Sequence, residues 1–418
     1  MAMKAWTLAL WVTVTLWATD ERQLALALKA QGDFERVQLA ARPSLAEAET
    51  CQQSQAAVLT VTPPEEVAQL HFRKGFCALA GAVATRNNAQ YLGAAAEFDQ
   101  ARETWPAHQR KRGKNEPAEP VPSELRVLAA IARLQAGGGD AERGKARVEL
   151  AEAVDRPVCT SSLMAVDFCR QVVDLGREWL GWIALGDGQL DQAARLLAAS
   201  TDSGWSQWVQ GRRSFDAGSY ANAVTSYRRA TEIWKSIWEN PGLLRALGPR
   251  PTLPVALADL GGAQLLAGDT AAATITLDAA IKADATAAHP LYLRARAKEL
   301  AGQTDAALAD YNLASRTAFA AAHDLASGEA HLYRGIVLYR RKDFQHAEDE
   351  FASALNFEIM PALHADATAW RHLAALAGGE CGTSVREPLA GSMGKVSPFF
   401  PKEEARALAA ACAGTAQR

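Results

Sequence analysis

Residues 208–230 read WVQGRRSFDAGSYANAVTSYRRA, and the spacing of their small and aromatic residues recurs along the chain. Gly211, Ala223, Tyr227 and Ala230 are separated by steps of twelve, four and three residues. Small residues at matched points on two successive helices let the helices cross closely, and the larger residue between them fills the layer. The same steps occur at Gly181, Ala193, Leu197, Ser200; at Gly261, Ala273, Leu277, Ala280; at Ala295, Ala307, Tyr311, Ala314; and at Gly335, Ala347, Phe351, Ala354. Five copies with one internal spacing predict an all-α stack of helical hairpins.

These residues resemble the tetratricopeptide repeat, a helix–turn–helix unit of about 34 residues. The clearest copies run from Trp208 to Ala230 and from Gly335 to Pro361, and the resemblance covers residues 170–361 best. The steps between units are 30, 50, 34 and 40 residues, so the second helices and connections vary in length. The resemblance implies an α-solenoid of such hairpins that forms a right-handed superhelix. It does not imply one function, because this stacking geometry serves many partners.

The composition fits this architecture and argues against nucleic acid as a partner. Of the 418 residues, 49% are hydrophobic and 7% aromatic, which suits alanine-rich helical stacking better than a β-fold. The formal net charge is −3, whereas nucleic-acid-binding domains usually present a basic face. One basic cluster, formed by Arg110, Lys111, Arg112 and Lys114, precedes three prolines and is interpreted as a solvated connection rather than a docking patch.

The N-terminus has the features of a secretory signal peptide. Lys4 provides a positive start, Ala5 to Trp17 form an apolar stretch, and Ala18 precedes a polar run. Cleavage after Ala18 predicts a periplasmic or secreted protein. An uncleaved anchor is the alternative, because Leu16 is larger than the small residue preferred three positions before the cut, although the stretch is short for a membrane span. Membrane attachment is expected only through such an anchor.

The six cysteines fall into three local pairs, which agrees with export. Cys51 lies twelve residues before Pro63 and Cys77 lies thirteen after Pro64, so a hairpin that turns at these prolines brings the two sulfurs to the same height. A bridge between Cys159 and Cys169 requires a non-helical chain near Pro157, since ten residues of helix would hold the sulfurs too far apart. The predicted disulfides are Cys51–Cys77, Cys159–Cys169 and Cys381–Cys412. Six unpaired buried thiols are the alternative.

Composition also predicts how the chain is organised. Gly75 opens an N-terminal unit that has about seven extra residues but keeps the repeat spacing in its second helix. The largest insertion runs from Ser236 to Pro254 and is open to interpretation as a hinge, a lid or a spacer. The predicted segments are a signal peptide at 1–18, tetratricopeptide-like hairpins at 19–106, a basic and Pro-rich linker at 107–122, the main solenoid at 123–377 and a C-terminal capping segment at 378–418.

The sequence contains no recognisable catalytic or metal-binding motif. Gly391 to Lys395 has two residues between its glycines where a phosphate loop needs four, so that interpretation is rejected. Metal ligands on one helix face need spacings of three or four residues, and no pair among the late histidines has one. These histidines are His331, His346, His364 and His372. We therefore expect no catalytic residues, no metal and no cofactor.

A stripe of aromatic and charged residues follows the first helices of the hairpins. In this repeat family those helices line the concave side, so the stripe projects into a groove where Trp, Tyr and Arg are the usual energetic anchors. Burial by neighbouring helices is the alternative for any single aromatic residue, and Trp179, Trp234 and Trp238 are predicted to be packing residues. The predicted ligand- or partner-binding residues are Trp182, Trp205, Trp208, Arg212, Phe215, Tyr292, Arg296, Glu299, Glu329, Tyr339 and Arg340.

Two functions from different classes are compatible with these patterns. The first is a non-catalytic exported scaffold that binds a segment of another envelope or secreted protein in its concave groove. The alternative is a periplasmic receptor that holds a small solute or lipid in the same groove. An insertion that seals the groove would favour a small ligand, and an open groove would favour a peptide. An enzyme is a third class, but no constellation of residues supports it.

Overall fold

A computed structural model describes residues 21–40, 42–64, 66–109, 120–137, 139–160, 163–200, 203–239, 242–320, 324–357, 361–397 and 400–415. The predicted signal peptide and the basic cluster at Arg110 to Lys114 lie outside these residues. Within them, the regular secondary structure is helical, which confirms the predicted all-α stack of helical hairpins. No helix of these ranges is both long and apolar enough to cross a membrane.

The chain divides into two compact units. The first comprises Met1–Val209 and Glu232–Arg250, and the second comprises Gln210–Thr231 and Pro251–Arg418. The helices before and after the predicted linker at 107–122 both belong to the first unit, so the units do not follow the predicted segments. The helices that lie wholly in the first unit are α1 (Glu21–Leu39), α2 (Leu45–Leu59), α3 (Val67–Thr85), α4 (Asn88–Gln109), α5 (Ser123–Gln135), α6 (Asp140–Asp155), α7 (Val166–Gly186), α8 (Leu190–Leu197) and α11 (Leu243–Ala246).

The second unit contains the most regular hairpins. Two helices, α9 (Gly204–Asp216) and α10 (Tyr220–Glu239), are shared between the units. The remaining helices are α12 (Leu253–Leu266), α13 (Thr270–Ala283), α14 (Ala288–Leu300), α15 (Thr304–Ala320), α16 (Asp324–Arg340), α17 (Phe344–Asn356), α18 (Pro361–Ala377), α19 (Thr383–Ser392) and α20 (Lys402–Thr415). Each helix from α12 to α18 packs against the next one along the chain, as stacked hairpins require.

Within each hairpin the two helices cross where the sequence places its small residues. A Cβ atom added at Gly261 would lie 2.7 Å from Leu277, and one added at Gly335 would lie 2.6 Å from Phe351. These distances are far below van der Waals contact, so only glycine allows the helices to approach this closely. The repeat pattern therefore describes real interhelical contacts.

The turn of each hairpin also has a defined backbone conformation. Gly268 and Gly302 follow the first helices of their hairpins with φ values of 86° and 74°. Glycine adopts this left-handed region without a steric penalty. The corresponding residue after α16 is Lys342, which adopts a φ of 65° despite its side chain.

An ion pair accompanies the same crossing in three hairpins. In each of them, the residue that precedes the small residue of the first helix pairs with the residue that precedes the aromatic residue of the second helix. The three pairs are Lys74–Glu97 at 2.7 Å, Arg294–Asp310 at 2.7 Å and Arg334–Glu350 at 3.0 Å. The first of these shows that Gly75 and Phe98 occupy the same structural positions as Gly335 and Phe351, although the N-terminal unit is longer.

The three predicted disulfides are all present. The Cα–Cα distances are 5.8 Å for Cys51–Cys77, 5.5 Å for Cys159–Cys169 and 5.0 Å for Cys381–Cys412. Residues 157–160 are not helical, which meets the condition for the second bridge. The third bridge fixes helix α20 to the chain that follows α18.

Candidate binding surface

The predicted stripe is divided between the two units, and each part is described within its own unit. Trp182, Trp205 and Trp208 belong to the first unit. The other eight residues belong to the second unit: Arg212, Phe215, Tyr292, Arg296, Glu299, Glu329, Tyr339 and Arg340.

In the first unit the insertion after α10 covers part of the predicted stripe. Trp205 is only 7% exposed, and its indole Nε1 donates to the carbonyl oxygen of Pro249. Trp179 donates in the same way to the carbonyl oxygen of Leu247, at 2.9 Å. The insertion is therefore packed against the core of the first unit. Trp205 is a packing residue, contrary to the expectation that it is accessible.

The other tryptophans of the first unit differ in exposure. Trp182 is 42% exposed and lies edge-on to buried Trp179, with ring centroids 5.4 Å apart. Trp208 is half-buried, and the centroid of its ring lies 5.7 Å from that of the Trp205 ring. The predicted packing roles of Trp179 and Trp234 are confirmed, since both are buried. Trp238, also predicted to be a packing residue, is half-buried.

At the start of the second unit two predicted residues lie on one exposed helix face. Arg212 forms an ion pair with Asp216 at 3.0 Å, and its guanidinium carbon lies 5.9 Å from the ring centroid of Phe215. The ring centroid of Phe215 in turn lies 5.5 Å from that of Tyr220. These contacts are local to one hairpin. The hypothesis that Trp208 and Arg212 face one ligand stays a prediction.

The largest group of predicted residues comes together between α14 and α16. We name it the Arg296 cluster and define it as Tyr292, Arg296 and Glu299 of α14, Tyr311 of α15, and Glu329, Tyr333 and Arg340 of α16. Five of these seven residues were selected from the sequence. Tyr311 was identified as a repeat residue only, and Tyr333 was missed. Tyr333 lies one turn after Glu329, so helical periodicity alone was a usable signal for it.

Glu299 is the centre of the polar contacts in this cluster. Its Oε1 atom accepts from Arg340 Nη1 at 2.7 Å, and its Oε2 atom accepts from the Tyr311 hydroxyl at 2.9 Å and from Arg296. Burial lowers the pKa of Arg296, but Tyr311 and Glu299 oppose this and raise it above its usual value. The guanidinium is therefore held charged in a partly buried position.

The guanidinium of Arg296 lies over one tyrosine ring of a group of three. Its central carbon lies 4.2 Å from the centroid of the Tyr333 ring, which is a cation–π contact. Tyr292 lies beneath, with its ring centroid 5.6 Å from that of Tyr333 and 6.3 Å from that of Tyr311. Tyr292 and Tyr311 are buried, so the accessible members of the cluster are Arg296, Tyr333 and Arg340.

Glu329 differs from the other charged members of the cluster. It is 8% exposed, and no hydrogen bond or ion pair reaches its carboxylate from the part of the chain that the structure describes. Burial raises its pKa to about 7. The pKa of Tyr292 is raised by burial, then by Tyr333 and then by the charge of Glu329.

The last predicted groove residue on α16 is covered by the C-terminal helix. Tyr339 is buried, and its hydroxyl donates to Glu404 Oε1 of α20 at 2.7 Å. Burial, followed by this hydrogen bond, raises the pKa of Tyr339 above its usual range. Tyr339 is thus a packing residue beneath α20 rather than an accessible groove residue. Its partner, Glu404, carries no local sequence signal.

Two of the late histidines lie within hydrogen-bond distance of a carboxylate. His331 Nδ1 lies 2.8 Å from Glu350 Oε2, and His346 Nδ1 lies 2.8 Å from Asp343 Oδ1. Among the described residues, no group of three His, Cys, Asp or Glu side chains is arranged to hold a metal ion.

Two cavities lie in the first unit, away from the predicted stripe. One of about 490 Å³ is lined by Arg102, Arg126, Lys145, Glu149 and Glu152 among others. The other, of about 420 Å³, lies beside the Cys159–Cys169 bridge and is lined by Arg170, Asp174 and Arg177 among others. The first is lined mainly by charged side chains and the second by both charged and apolar ones, and neither is lined by a residue of the predicted groove.

Comparisons with known proteins add structural similarity only. No protein-family model and no curated protein matches the sequence. Yeast Tom70 is similar at 11% identity and a TM-score of 0.41, covering 95% of this chain and 97% of that chain. A tetratricopeptide repeat protein from Parabacteroides merdae ATCC 43184 is similar at 14% identity and a TM-score of 0.41, covering 70% of this chain and 98% of that chain. The APC/C hetero-tetramer Cut9–Hcn1 is similar at 13% identity and a TM-score of 0.28, covering 96% of this chain and 98% of that chain.

Proposed function

We propose that this chain is a non-catalytic, exported scaffold that binds a segment of another envelope or secreted protein. The Arg296 cluster is the proposed binding surface, and its geometry is the observation that carries the proposal. Tyrosine and arginine side chains held in place by their own contacts lose little conformational freedom on binding. A surface made of such residues therefore favours a protein partner.

A segment of a partner suits this surface better than an enclosed small molecule. The cluster joins the first helices of two successive hairpins through the contact between Arg296 and Tyr333. The two described cavities lie elsewhere, and no residue of the cluster lines either of them. The small-solute or lipid receptor thus has less support than the scaffold.

Export is supported by the cysteines and by the N-terminal sequence. All six cysteines are paired, and disulfides persist mainly outside the reducing cytoplasm. The lysine, apolar stretch and alanine at residues 4–18 have the order of a secretory signal. We propose that the mature chain begins near Thr19 in the periplasm or outside the cell.

The binding surface can be tested by photo-crosslinking in the cells that produce the protein. A photo-reactive residue at position 333 is expected to form a crosslink to one protein partner. The matched control is the same residue at position 275, because Ile275 is 72% exposed on α13, the second helix of its hairpin. Equal crosslinking at both positions, or none at position 333, contradicts the proposed surface.

A further inference from the structure

A segment of the insertion after α10 lies across the first helices of the hairpins in the first unit. We name residues 242–250 the strap; they read GLLRALGPR and belong to the same unit. Helix α11, the single turn within the strap, packs against α3 and α7. The strap backbone also accepts hydrogen bonds from Gln135 of α5 and Trp205 of α9. The strap therefore crosses the side on which the sequence predicts a binding groove.

The first unit holds the strap through its main chain. The carbonyl oxygen of Leu247 accepts from the indole Nε1 of Trp179 at 2.9 Å and from the amide Nε2 of Gln135 at 3.3 Å. The carbonyl oxygen of Pro249 accepts from the indole of Trp205. These donors are side chains of three first helices, and the acceptors are backbone atoms. Main-chain hydrogen bonds of this kind are how a groove recognises a peptide segment.

Two leucines fill the apolar part of the same surface. Leu243 is 5% exposed and Leu247 is fully buried, and both belong to the hydrophobic core of the first unit. They are four residues apart, so they lie on one face of the helical turn. Arg245, between them, is exposed. The surface therefore selects large aliphatic side chains at two positions four residues apart and leaves an intervening position open.

The strap has little helical stability of its own. Helix α11 has four residues, and an isolated helix of that length is unstable in water because its nucleation is unfavourable. The surface of the first unit therefore imposes the conformation of the strap. The same surface can impose it on a segment of another protein that carries the two leucines and a free main chain after them.

We propose that the strap occupies a peptide-binding groove of the first unit and competes there with a segment of another protein. The partner segment has two large aliphatic residues four positions apart, followed by main-chain carbonyls that accept from Trp179, Gln135 and Trp205. A tethered competitor has an effective concentration on the order of millimolar, so the strap must leave before a partner binds. The Arg296 cluster belongs to the second unit, so the two surfaces consist of different residues.

The test compares the wild type with a strap-free variant, in which a Gly/Ser sequence of equal length replaces residues 243–249. This replacement keeps the chain connected and removes the two leucines. The probe is a fluorescent peptide with the sequence of residues 242–250. Circular dichroism and thermal unfolding, measured with and without the peptide, report whether the variant is folded.

We expect the strap-free variant to bind the peptide, and the wild type to bind it about a hundredfold or more weakly because the tethered strap competes. Replacing Trp179→Phe in the strap-free variant should weaken binding roughly fivefold or more, since an indole donor to the peptide is lost.

Two substitutions at neighbouring positions of the peptide test the mode of binding. Leu247→Ala should weaken binding roughly tenfold or more, because this side chain is fully buried. Gly248→Ala is the matched control and should bind as the unmodified peptide does. A Cβ atom at Gly248 would lie 3.4 Å from Leu175 and 3.5 Å from Glu178, which are ordinary contacts.

Three results overturn the proposal. The first is a folded strap-free variant that binds the peptide no better than the wild type does. The second is a strap-free variant that stays unfolded with and without the peptide, since the strap is then part of the core rather than a ligand. The third is equal binding of the Leu247→Ala and Gly248→Ala peptides. None of these results bears on the Arg296 cluster, which the crosslinking experiment tests separately.

Discussion

The guanidinium carbon of Arg296 lies 4.2 Å from the centroid of the Tyr333 ring, and this contact joins the first helices of two successive hairpins. A cation–π contact of this kind contributes roughly 0.5–2 kcal/mol, depending on how well solvent is excluded. Glu299 and Tyr311 hold the guanidinium from the other side. The surface is therefore organised before any partner arrives, which reduces the entropy lost on binding.

The buried carboxyl of Glu329 predicts a dependence of stability on pH. Its pKa is about 7 in the folded chain, above the ordinary value of 4.5, and burial is the cause of the shift. Between these two pH values the folded chain binds a proton that the unfolded chain has released. This carboxyl therefore lowers the free energy of unfolding as the pH rises from about 4.5 to 7, by up to roughly 3 kcal/mol.

Urea unfolding of the wild type and Glu329→Gln at several pH values measures this contribution. We expect the variant to be the more stable protein at pH ~8, with a difference that shrinks toward pH ~4. Glu387→Gln, the same substitution at an exposed position on α19, should follow the wild type at every pH. A variant that is less stable than the wild type at pH ~8 would show that Glu329 has a stabilising partner.

Two adjacent glycines of α12 predict opposite effects of the same substitution. A Cβ atom at Gly261 would lie 2.7 Å from Leu277, whereas one at Gly262 would make an ordinary contact of 3.5 Å with Leu293. We expect Gly261→Ala to lower the free energy of unfolding by about 1–3 kcal/mol. Gly262→Ala should be neutral or stabilising by up to about 1 kcal/mol, because alanine favours the helix. Thermal unfolding of both variants checks this, and equal effects would contradict the close crossing.

The Cys51–Cys77 bridge predicts a stability that depends on oxidation. It closes a loop between residues 26 apart in sequence, and both cysteines are buried. In the chain-entropy account, a loop of this size contributes roughly 3–4 kcal/mol. We expect the double variant Cys51→Ala, Cys77→Ala to melt well below the wild type without a reductant. Peptide mapping of native protein that finds either thiol alkylated would refute the pairing.

The proposed export predicts where the native chain begins and where it is found. N-terminal sequencing of protein isolated from its source cells is expected to start near Thr19, in an envelope or secreted fraction. An intact Met1 in membrane-extracted protein would support the uncleaved anchor. An intact Met1 in the cytoplasmic fraction would contradict export.

Most of the fold was predictable because its determinants are local. The sequence spacing of Gly261 and Leu277 reflects a contact between the two helices of one hairpin. The disulfides join cysteines that are close in sequence. Tyr292, Arg296 and Glu299 were also identified correctly as neighbours, because helical periodicity fixes which residues share a face.

Burial of individual stripe residues was not predictable in the same way. Trp205 is covered by Pro249 from the insertion, and Tyr339 is covered by Glu404, which lies 65 residues further along the chain. Each contact depends on where a distant segment packs, and no local pattern encodes that. Glu329 was selected from the sequence as a groove residue, but its burial depends on how the neighbouring helices pack.

The most direct test of the proposed binding surface is the affinity of the crosslinked partner for Tyr333→Leu. Leucine retains much of the buried apolar contact but removes the aromatic face under Arg296. The account predicts a loss of binding of about 1–2 kcal/mol, or roughly five- to thirtyfold, in a variant that stays folded and melts only a few degrees below the wild type because the cation–π contact is lost. Unchanged affinity in a variant that folds normally would contradict the claim that the Arg296 cluster binds the partner.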